Sequence, residues 1–345
     1  MKSIKLISKL AFGEFDEMMP VLDDINKVLI KIAAVGVCGS DMHYYKHGRI
    51  GEQVVEYPYT IGHEASGHIE KIYGDSKDLK VEQLVAIEPA VSCGQCDQCR
   101  AGRHHTCRHI QFMGAPGQIQ GLMKEYVTVP TQNVFPVPES FSANEAAFVE
   151  PMSIGAYAVK LGQVSGNDNI GIIGVGPIGM SVLLSLKYWG NNQQYVWDKL
   201  DYRLENAKKA GVLWSGNPEK IKIQKELQNI LPEELDIVFE CCGEQEALDT
   251  ALDVLKPGGK LVIVGIPSED RISFDMNDLR RKEISIINVR RQNHSVEDAI
   301  KIIDQFRPLD GFLITHTFNY DQTNEAFKLV NDYADNVVKA VVKFS

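Results

Sequence analysis

The stretch Gly174-Val175-Gly176-Pro177-Ile178-Gly179 constrains this chain more than any other. It follows the apolar run Ile170-Gly171-Ile172-Ile173 and opens a helical pattern, Ile178, Val182, Leu183 and Leu186, that stops at Gly190. Strand, glycine turn and helix in that order let a pyrophosphate approach bare backbone amides at a helix N-terminus. A second apolar run, Tyr195-Val196-Trp197, ends at Asp198. That is about twenty residues on, where a carboxylate holds a ribose 2′-hydroxyl. A carboxylate there repels a 2′-phosphate, so the expected cofactor is NAD rather than NADP, while the nearby Lys199 and Arg203 weigh slightly the other way.

On either side of this motif the patterning differs. Up to about Glu150 the chain shows short Val/Ile runs, such as Val28-Leu29-Ile30-Lys31-Ile32 and Tyr126-Val127-Thr128-Val129, broken by Gly and Pro. That suits a compact β-rich domain. From about Ser153 strands alternate with helical stretches, the signature of βαβ units and a doubly wound parallel sheet. Its strands are expected at 170–173, 195–197, 237–239, 261–264 and 284–289, with 212–215 a weaker candidate. A helical stretch (Val296, Ile300, Ile303, Phe306), a run at 312–318, a helix around 326–333 and a strand at 337–343 follow. This tail is expected to rejoin the first domain. The division is then a discontinuous catalytic domain, 1–153 with 291–345, and a dinucleotide-binding domain, 154–290. A chain of 345 residues exceeds the usual size of one domain.

The net charge of −10, from 36 basic and 46 acidic side chains, argues against a nucleic-acid partner. No apolar run approaches the roughly eighteen residues that span a bilayer, and Met1-Lys2-Ser3-Ile4-Lys5 lacks the apolar core of a signal peptide. No membrane partner and a cytoplasmic location are therefore expected.

Seven cysteines, four of them between Cys93 and Cys107, point in such a chain to metal or catalysis rather than to disulfides. Cys93-x2-Cys96-x2-Cys99-x7-Cys107 supplies four thiolates, enough to close a tetrahedral structural zinc with no position left for water. An iron–sulfur centre is the weaker alternative, because the spacing departs from the common ferredoxin run. His104, His105 and His109 flank this lobe and are read as solvated or packing side chains. A second set is scattered: Cys38 in Val37-Cys38-Gly39-Ser40-Asp41, His63-Glu64 in Gly62-His63-Glu64-Ala65-Ser66-Gly67, and Glu150 in Val149-Glu150-Pro151. A thiolate, an imidazole and carboxylates could hold zinc with one position open, as a catalytic site requires. Taken alone that set is a weak signal, and His68 competes with His63.

Together, Cys38-Gly39-Ser40-Asp41-Met42-His43-Tyr44, the Gly62 to Gly67 segment, the cysteine lobe, Glu150-Pro151 and the Gly174 to Gly179 turn resemble the zinc-dependent medium-chain dehydrogenases. The resemblance covers essentially the whole chain. Within the family it is most similar to the polyol branch, the sorbitol and xylitol dehydrogenases, on His43-Tyr44-Tyr45, Gly48-Arg49-Ile50-Gly51, Ala86-Ile87-Glu88-Pro89 and Val289-Arg290. It implies an α/β chain, with a β-rich GroES-like catalytic domain and a Rossmann NAD-binding domain, carrying one catalytic and one structural zinc. Cys38, His63 and Glu64 are then the catalytic zinc ligands, with water as the fourth. Glu150 lies beside them, either hydrogen-bonded to that water or exchanging with it as a ligand. Ser40 and His43 match the route by which the alcohol proton leaves. Tyr44 and Arg290, with Glu150, match contacts to a polyhydroxylated substrate. Gly174, Gly176, Pro177, Ile178 and Gly179 match the cofactor turn, and Asp198 and Arg203 the adenosine site.

The implied activity is oxidation of a secondary alcohol of a polyol to a ketone, with hydride passing to NAD. Thiolate and carboxylate ligands already neutralise the formal charge of zinc, which favours reversible alcohol oxidation over making a strong hydroxide nucleophile. Two other readings stay open: a dehydrogenase for another secondary alcohol, such as L-threonine or a diol, and a non-catalytic dinucleotide-binding sensor. The family habit implies a homo-oligomer, dimer or tetramer. Cys241-Cys242 reads as packing at a strand end near the cofactor, and 256–260 as a helix-to-strand turn.

Overall fold

The computed structural model describes residues 1–345 except 23, 75–78, 268, 270 and 345. The chain divides into two compact units, Met1–Glu150 with Arg307–Ser345, and Pro151–Phe306.

In the first unit, among the described residues, seven strands share one sheet. Its order is Val134–Pro136, Leu84–Ile87, Glu64–Ile72, Lys27–Gly36, Lys339–Lys343 and Ile314–Asn319, with Tyr126–Pro130 also on Lys27–Gly36. Lys27–Gly36 is the hub because its length accommodates two successive partners. Tyr126–Pro130 pairs with its first half, Val127 opposite Ile30, and Lys339–Lys343 with its end, Val341 opposite Gly36. Val28, Ile30, Ile32 and Val35 are all buried, so this strand reads as a nearly continuous apolar run rather than an alternation. Thr323–Asn331 supplies the covering helix, whose buried Phe327 ring lies 4.5 Å from Phe12 and 5.3 Å from Tyr45.

In the second unit, among the described residues, six parallel strands run in the order Trp214–Gly216, Gln194–Trp197, Ile170–Ile173, Leu235–Glu240, Leu255–Ile263 and Ser285–Asn288. Numbered along the chain this is 3-2-1-4-5-6, a doubly wound sheet whose winding reverses between Ile170–Ile173 and Leu235–Glu240. Ile170–Ile173 is buried at all four positions, as a central strand of a parallel sheet is. The weaker strand candidate is present as Trp214–Gly216. The connection expected at 256–260 is instead part of a strand with a register shift: Leu255 faces Leu235, and the next pair is Lys260 with Ile237.

The expected boundary at 290/291 lies instead at Phe306/Arg307. The helix Val296–Phe306 buries Ala299, Ile302 and Ile303 and packs on the helix Pro177–Tyr188, so it completes the second unit. No helix among the described residues is long and apolar enough to cross a membrane.

Candidate active site

Among the described residues, Cys38, His63 and Glu64 bring one potential ligand atom each to within 4.8 Å of one another. Cys38 immediately precedes the helix Gly39–His47, and His63 precedes the strand Glu64–Ile72, whose Glu64 stands opposite Gly36. Only glycine suits position 36, because a Cβ there would lie 2.2 Å from Glu64 Oε2 and 3.2 Å from Glu64 Cβ. His68 stands apart from this group: it is exposed, with Nδ1 3.0 Å from the Glu82 carbonyl.

Two residues that the sequence reading did not single out hold these side chains. Asp41 is fully buried, with Oδ1 3.4 Å from His63 Nδ1. Its Oδ1 also accepts the Gly62 N–H at 3.3 Å, and its Oδ2 accepts the Cys38 N–H at 3.2 Å. An acceptor at Nδ1 leaves His63 Nε2 to face a metal. Burial pulls the His63 imidazolium down, but the charges of Asp41 and Cys38 outweigh it and hold its pKa well above the usual value. Lys339 Nζ donates to Glu64 at 2.6 Å and 2.8 Å and to the Val37 carbonyl at 3.0 Å. Both side chains are buried, at 3% and 2% exposure. Burial opposes the lysine charge, yet Glu64 and then Cys38 raise its pKa above the usual range. Asp41 had a local signal, an acid three residues past a helix-capping position. Lys339 had none, being 275 residues from Glu64.

Glu150 is buried, and burial, with Glu64 and Glu88 adding to it against His63 and Lys339, pushes its carboxyl up to about 8. The Ser40 hydroxyl donates to Cys38 Sγ at 3.4 Å. His43 is half-buried, and burial, followed by His47 and Lys46, lowers its pKa so that it stays neutral at neutral pH. The Tyr44 hydroxyl donates to Gln53 Oε1 at 3.1 Å from a buried ring. Arg290 belongs to the second unit, exposed just beyond the strand Ser285–Asn288.

Cys93, Cys96, Cys99 and Cys107 also gather within 4.8 Å of one another. Four sulfurs about 2.3 Å from a tetrahedral zinc stand about 3.8 Å apart. Here Cys96 Sγ is 3.6 Å from Cys99 Sγ and 3.9 Å from Cys107 Sγ, and Cys93 Sγ is 4.0 Å from Cys99 Sγ. All seven cysteines are free. Main-chain N–H groups of Cys99 and Arg108 lower the Cys96 thiol to about 6, and those of Gln95 and Cys96 lower Cys93. Burial lifts Cys99 to about 11, a cost that a metal cation would remove. His104 Nδ1 lies 3.1 Å from the Ser92 hydroxyl, outside the sulfur cluster.

In the second unit Gly174 has φ +79, and the helix Pro177–Tyr188 starts at Gly176 with Pro177 in its first turn. A Cβ at Gly179 would lie 1.9 Å from the Gly174 carbonyl oxygen, so the turn closes on itself only with glycine there. The main-chain amides at the helix start form the kind of cradle a pyrophosphate needs. Asp198 is buried; its Oδ2 accepts the Val175 N–H and its Oδ1 the Leu200 N–H, each at 2.8 Å. Arg203 Nη1 stands 3.7 Å from Asp198 Oδ2, and 3.2 Å from where a Cβ on Gly176 would be. The acid and the arginine thus flank the glycine turn.

The alcohol dehydrogenase GroES-like domain family matches residues 24–139, and the zinc-binding dehydrogenase family matches residues 177–305. The chain is 35% identical to the sorbitol dehydrogenase of Bacillus subtilis (strain 168), over 94% of this chain and 93% of that protein. It is 30% identical to D-xylulose reductase A of Aspergillus oryzae, over 90% and 88% of the two. Among solved structures it superposes with a TM-score of 0.90 and 27% identity on an alcohol dehydrogenase (rspB) from Escherichia coli CFT073 complexed with NADH, covering 100% of this chain and 99% of that one. With such relatives along nearly its whole length, the chain belongs to the zinc-dependent medium-chain dehydrogenases, as an alcohol dehydrogenase of their polyol branch.

Proposed function

We propose that this enzyme oxidises a secondary alcohol of a sorbitol- or xylitol-like polyol to a ketone, with NAD as the hydride acceptor. The observation that carries the reading is the grouping of half-buried Cys38 with buried His63 and Glu64, supported by relatives named for sorbitol and xylulose. Zinc bound there supplies the Lewis acidity that brings an alcohol's pKa toward neutrality, and the nicotinamide accepts the hydride. Cys38 Sγ, His63 Nε2 and a Glu64 oxygen would hold the metal. Asp41 fixes the His63 ring through Nδ1, and Lys339 orients the Glu64 carboxylate. Glu150 would accept a hydrogen bond from the reacting hydroxyl or from a water in its place, or would itself serve as a metal ligand. The Ser40 hydroxyl passes the proton on, and His43, kept neutral by its partly buried setting, receives it at an imidazole nitrogen. Tyr44 and Arg290 bind neighbouring hydroxyls. Gly174, Gly176, Pro177, Ile178 and Gly179 cradle the pyrophosphate, with Asp198 and Arg203 at the adenosine. A division into a catalytic unit and a dinucleotide-binding unit, a homo-oligomeric state and a cytoplasmic location belong to the same reading.

Initial rates of NADH formation with sorbitol, xylitol, galactitol, L-threonine and 2,3-butanediol test it, each alcohol run with NAD and NADP before and after chelation. Turnover of a polyol with NAD, lost on chelation and restored by zinc, is the expected result. Preference for L-threonine or butanediol would reassign the substrate, and preference for NADP would refute the role of Asp198. Failure of every alcohol while dinucleotide still bound would favour a sensor.

The cysteine lobe in this reading holds a second, structural zinc. Cys96→Ser should lose one of the two zinc ions per chain measured by atomic emission, since a closed four-thiolate site tolerates no missing ligand. Retention of both zinc ions in that variant would rule the lobe out as a metal site.

A further inference from the structure

At the carboxyl end of the second unit's sheet stands a buried carboxylate with no role in the chemistry above. Glu240 ends the strand Leu235–Glu240, opposite Ile173 on one side and Ile263 on the other. That is beside the point where the winding reverses, outside which ligands of such sheets bind. The residue is fully buried. Its Oε1 accepts the N–H groups of Cys242 and Gly243 at 2.7 Å and 2.6 Å, and its main-chain carbonyl accepts those of Val264 and Gly265 at 2.8 Å and 3.0 Å. Its Oε2 has no hydrogen-bond partner among the described residues.

Neighbouring turns close around this group. A Cβ at Gly265 would lie 2.8 Å from Glu240 Oε2 and 2.3 Å from the Gly243 nitrogen, and one at Gly174 would lie 3.0 Å from Cys242 Cβ. The turns that follow three adjacent strands are therefore packed together about one carboxylate. The charge is felt locally: burial first, and then Glu240, push the thiols of Cys241 and Cys242 up. Both thiols are thereby kept neutral, but only Cys241 is partly enclosed at the strand end; Cys242, expected to pack there, is exposed on the turn.

A buried carboxylate with hydrogen bonds on only one oxygen is incompletely compensated. In the dinucleotide reading, the pyrophosphate lies at Gly174 to Gly179 and the adenosine ribose at Asp198, just past the strand Gln194–Trp197. The nicotinamide half then falls on the opposite side of Ile170–Ile173, over the end of Leu235–Glu240. Its ring is cationic when oxidised and neutral when reduced, so a fixed anion there acts on the two forms unequally. We infer that Glu240 is a positioning residue for the nicotinamide half of the cofactor, and that its buried charge makes the site favour the oxidised over the reduced form. The inference rests on the dinucleotide reading of this unit.

Calorimetric titration of the zinc-loaded full chain with NAD+, NADH and ADP-ribose tests it. Glu240→Gln keeps an acceptor oxygen for the Cys242 and Gly243 N–H groups but removes the charge. Its affinity for NAD+ should fall about threefold to tenfold relative to NADH, while ADP-ribose, which lacks nicotinamide, binds as before. Glu240→Asp keeps the charge and should keep the wild-type NAD+ to NADH ratio. An unchanged ratio in Glu240→Gln would overturn the inference. So would an equal loss for all three ligands, which would make Glu240 only a brace for the turns. Were the wild-type chain to bind none of the three, the dinucleotide reading itself would fall, a result distinct from either of these.

Discussion

Replacing Lys339 by Met should destabilise the metal-free protein by about 3–5 kcal/mol, the usual consequence of removing one partner of a buried ion pair. The lysine and Glu64 are both buried, with Nζ within 2.8 Å of both carboxylate oxygens, and the variant leaves that carboxylate without its counter-charge. Bound zinc would partly neutralise Glu64, so the loss should shrink in the zinc-loaded protein. Equilibrium urea unfolding with and without zinc measures both quantities. Adding Glu64→Gln to Lys339→Met removes the stranded charge and should restore much of the lost metal-free stability, a coupling that a double-mutant cycle reads directly. Wild-type stability of metal-free Lys339→Met would show that the pair contributes nothing.

Gly179→Ala should lower NADH affinity about 100-fold, equivalent to about 2.8 kcal/mol, and cost about 1–3 kcal/mol of stability from overpacking. The added methyl would lie 1.9 Å from the Gly174 carbonyl oxygen. Its obstacle is main chain, so no rotamer change relieves the clash and the turn has to open. Gly176→Ala is the informative contrast. Its methyl meets Arg203 Nη1 at 3.2 Å, the far end of a flexible side chain that can move by a few tenths of an ångström. Urea unfolding of both variants should therefore rank Gly179→Ala far below Gly176→Ala in stability, and equal stabilities would contradict this account of the turn. NADH fluorescence titration of Gly179→Ala reads its loss of affinity.

The two variants also mark how far sequence carries in this chain. Gly179 was readable in advance because its constraint is local: strand, turn and helix are contiguous, and one residue type satisfies the close approach. The four sulfurs of the lobe were readable for the same reason, since a short segment carries all of them. The scattered set was less so. Cys38, His63 and Glu64 acquire meaning together only when the helix Gly39–His47 and the strand Glu64–Ile72 are set beside one another. Of the two residues that brace them, Asp41 carried a signal in the helix start, whereas Lys339 had no sequence neighbour to betray it.

By itself the sequence determined the α/β class, the parallel sheet after Ser153, the glycine turn and the clustering of cysteines. Each follows from periodicity or spacing within a few tens of residues. Tertiary structure alone decided that the helix Val296–Phe306 completes the second unit, that Asp41 reaches His63, and that Lys339 reaches Glu64. The physical reason is common to all three. Which groups share a buried space depends on which strands and helices lie side by side, and burial then sets charge pairing and pKa. The strand Lys339–Lys343 lies against Lys27–Gly36, and that one pairing brings the buried lysine from the far end of the chain to the carboxylate opposite Gly36.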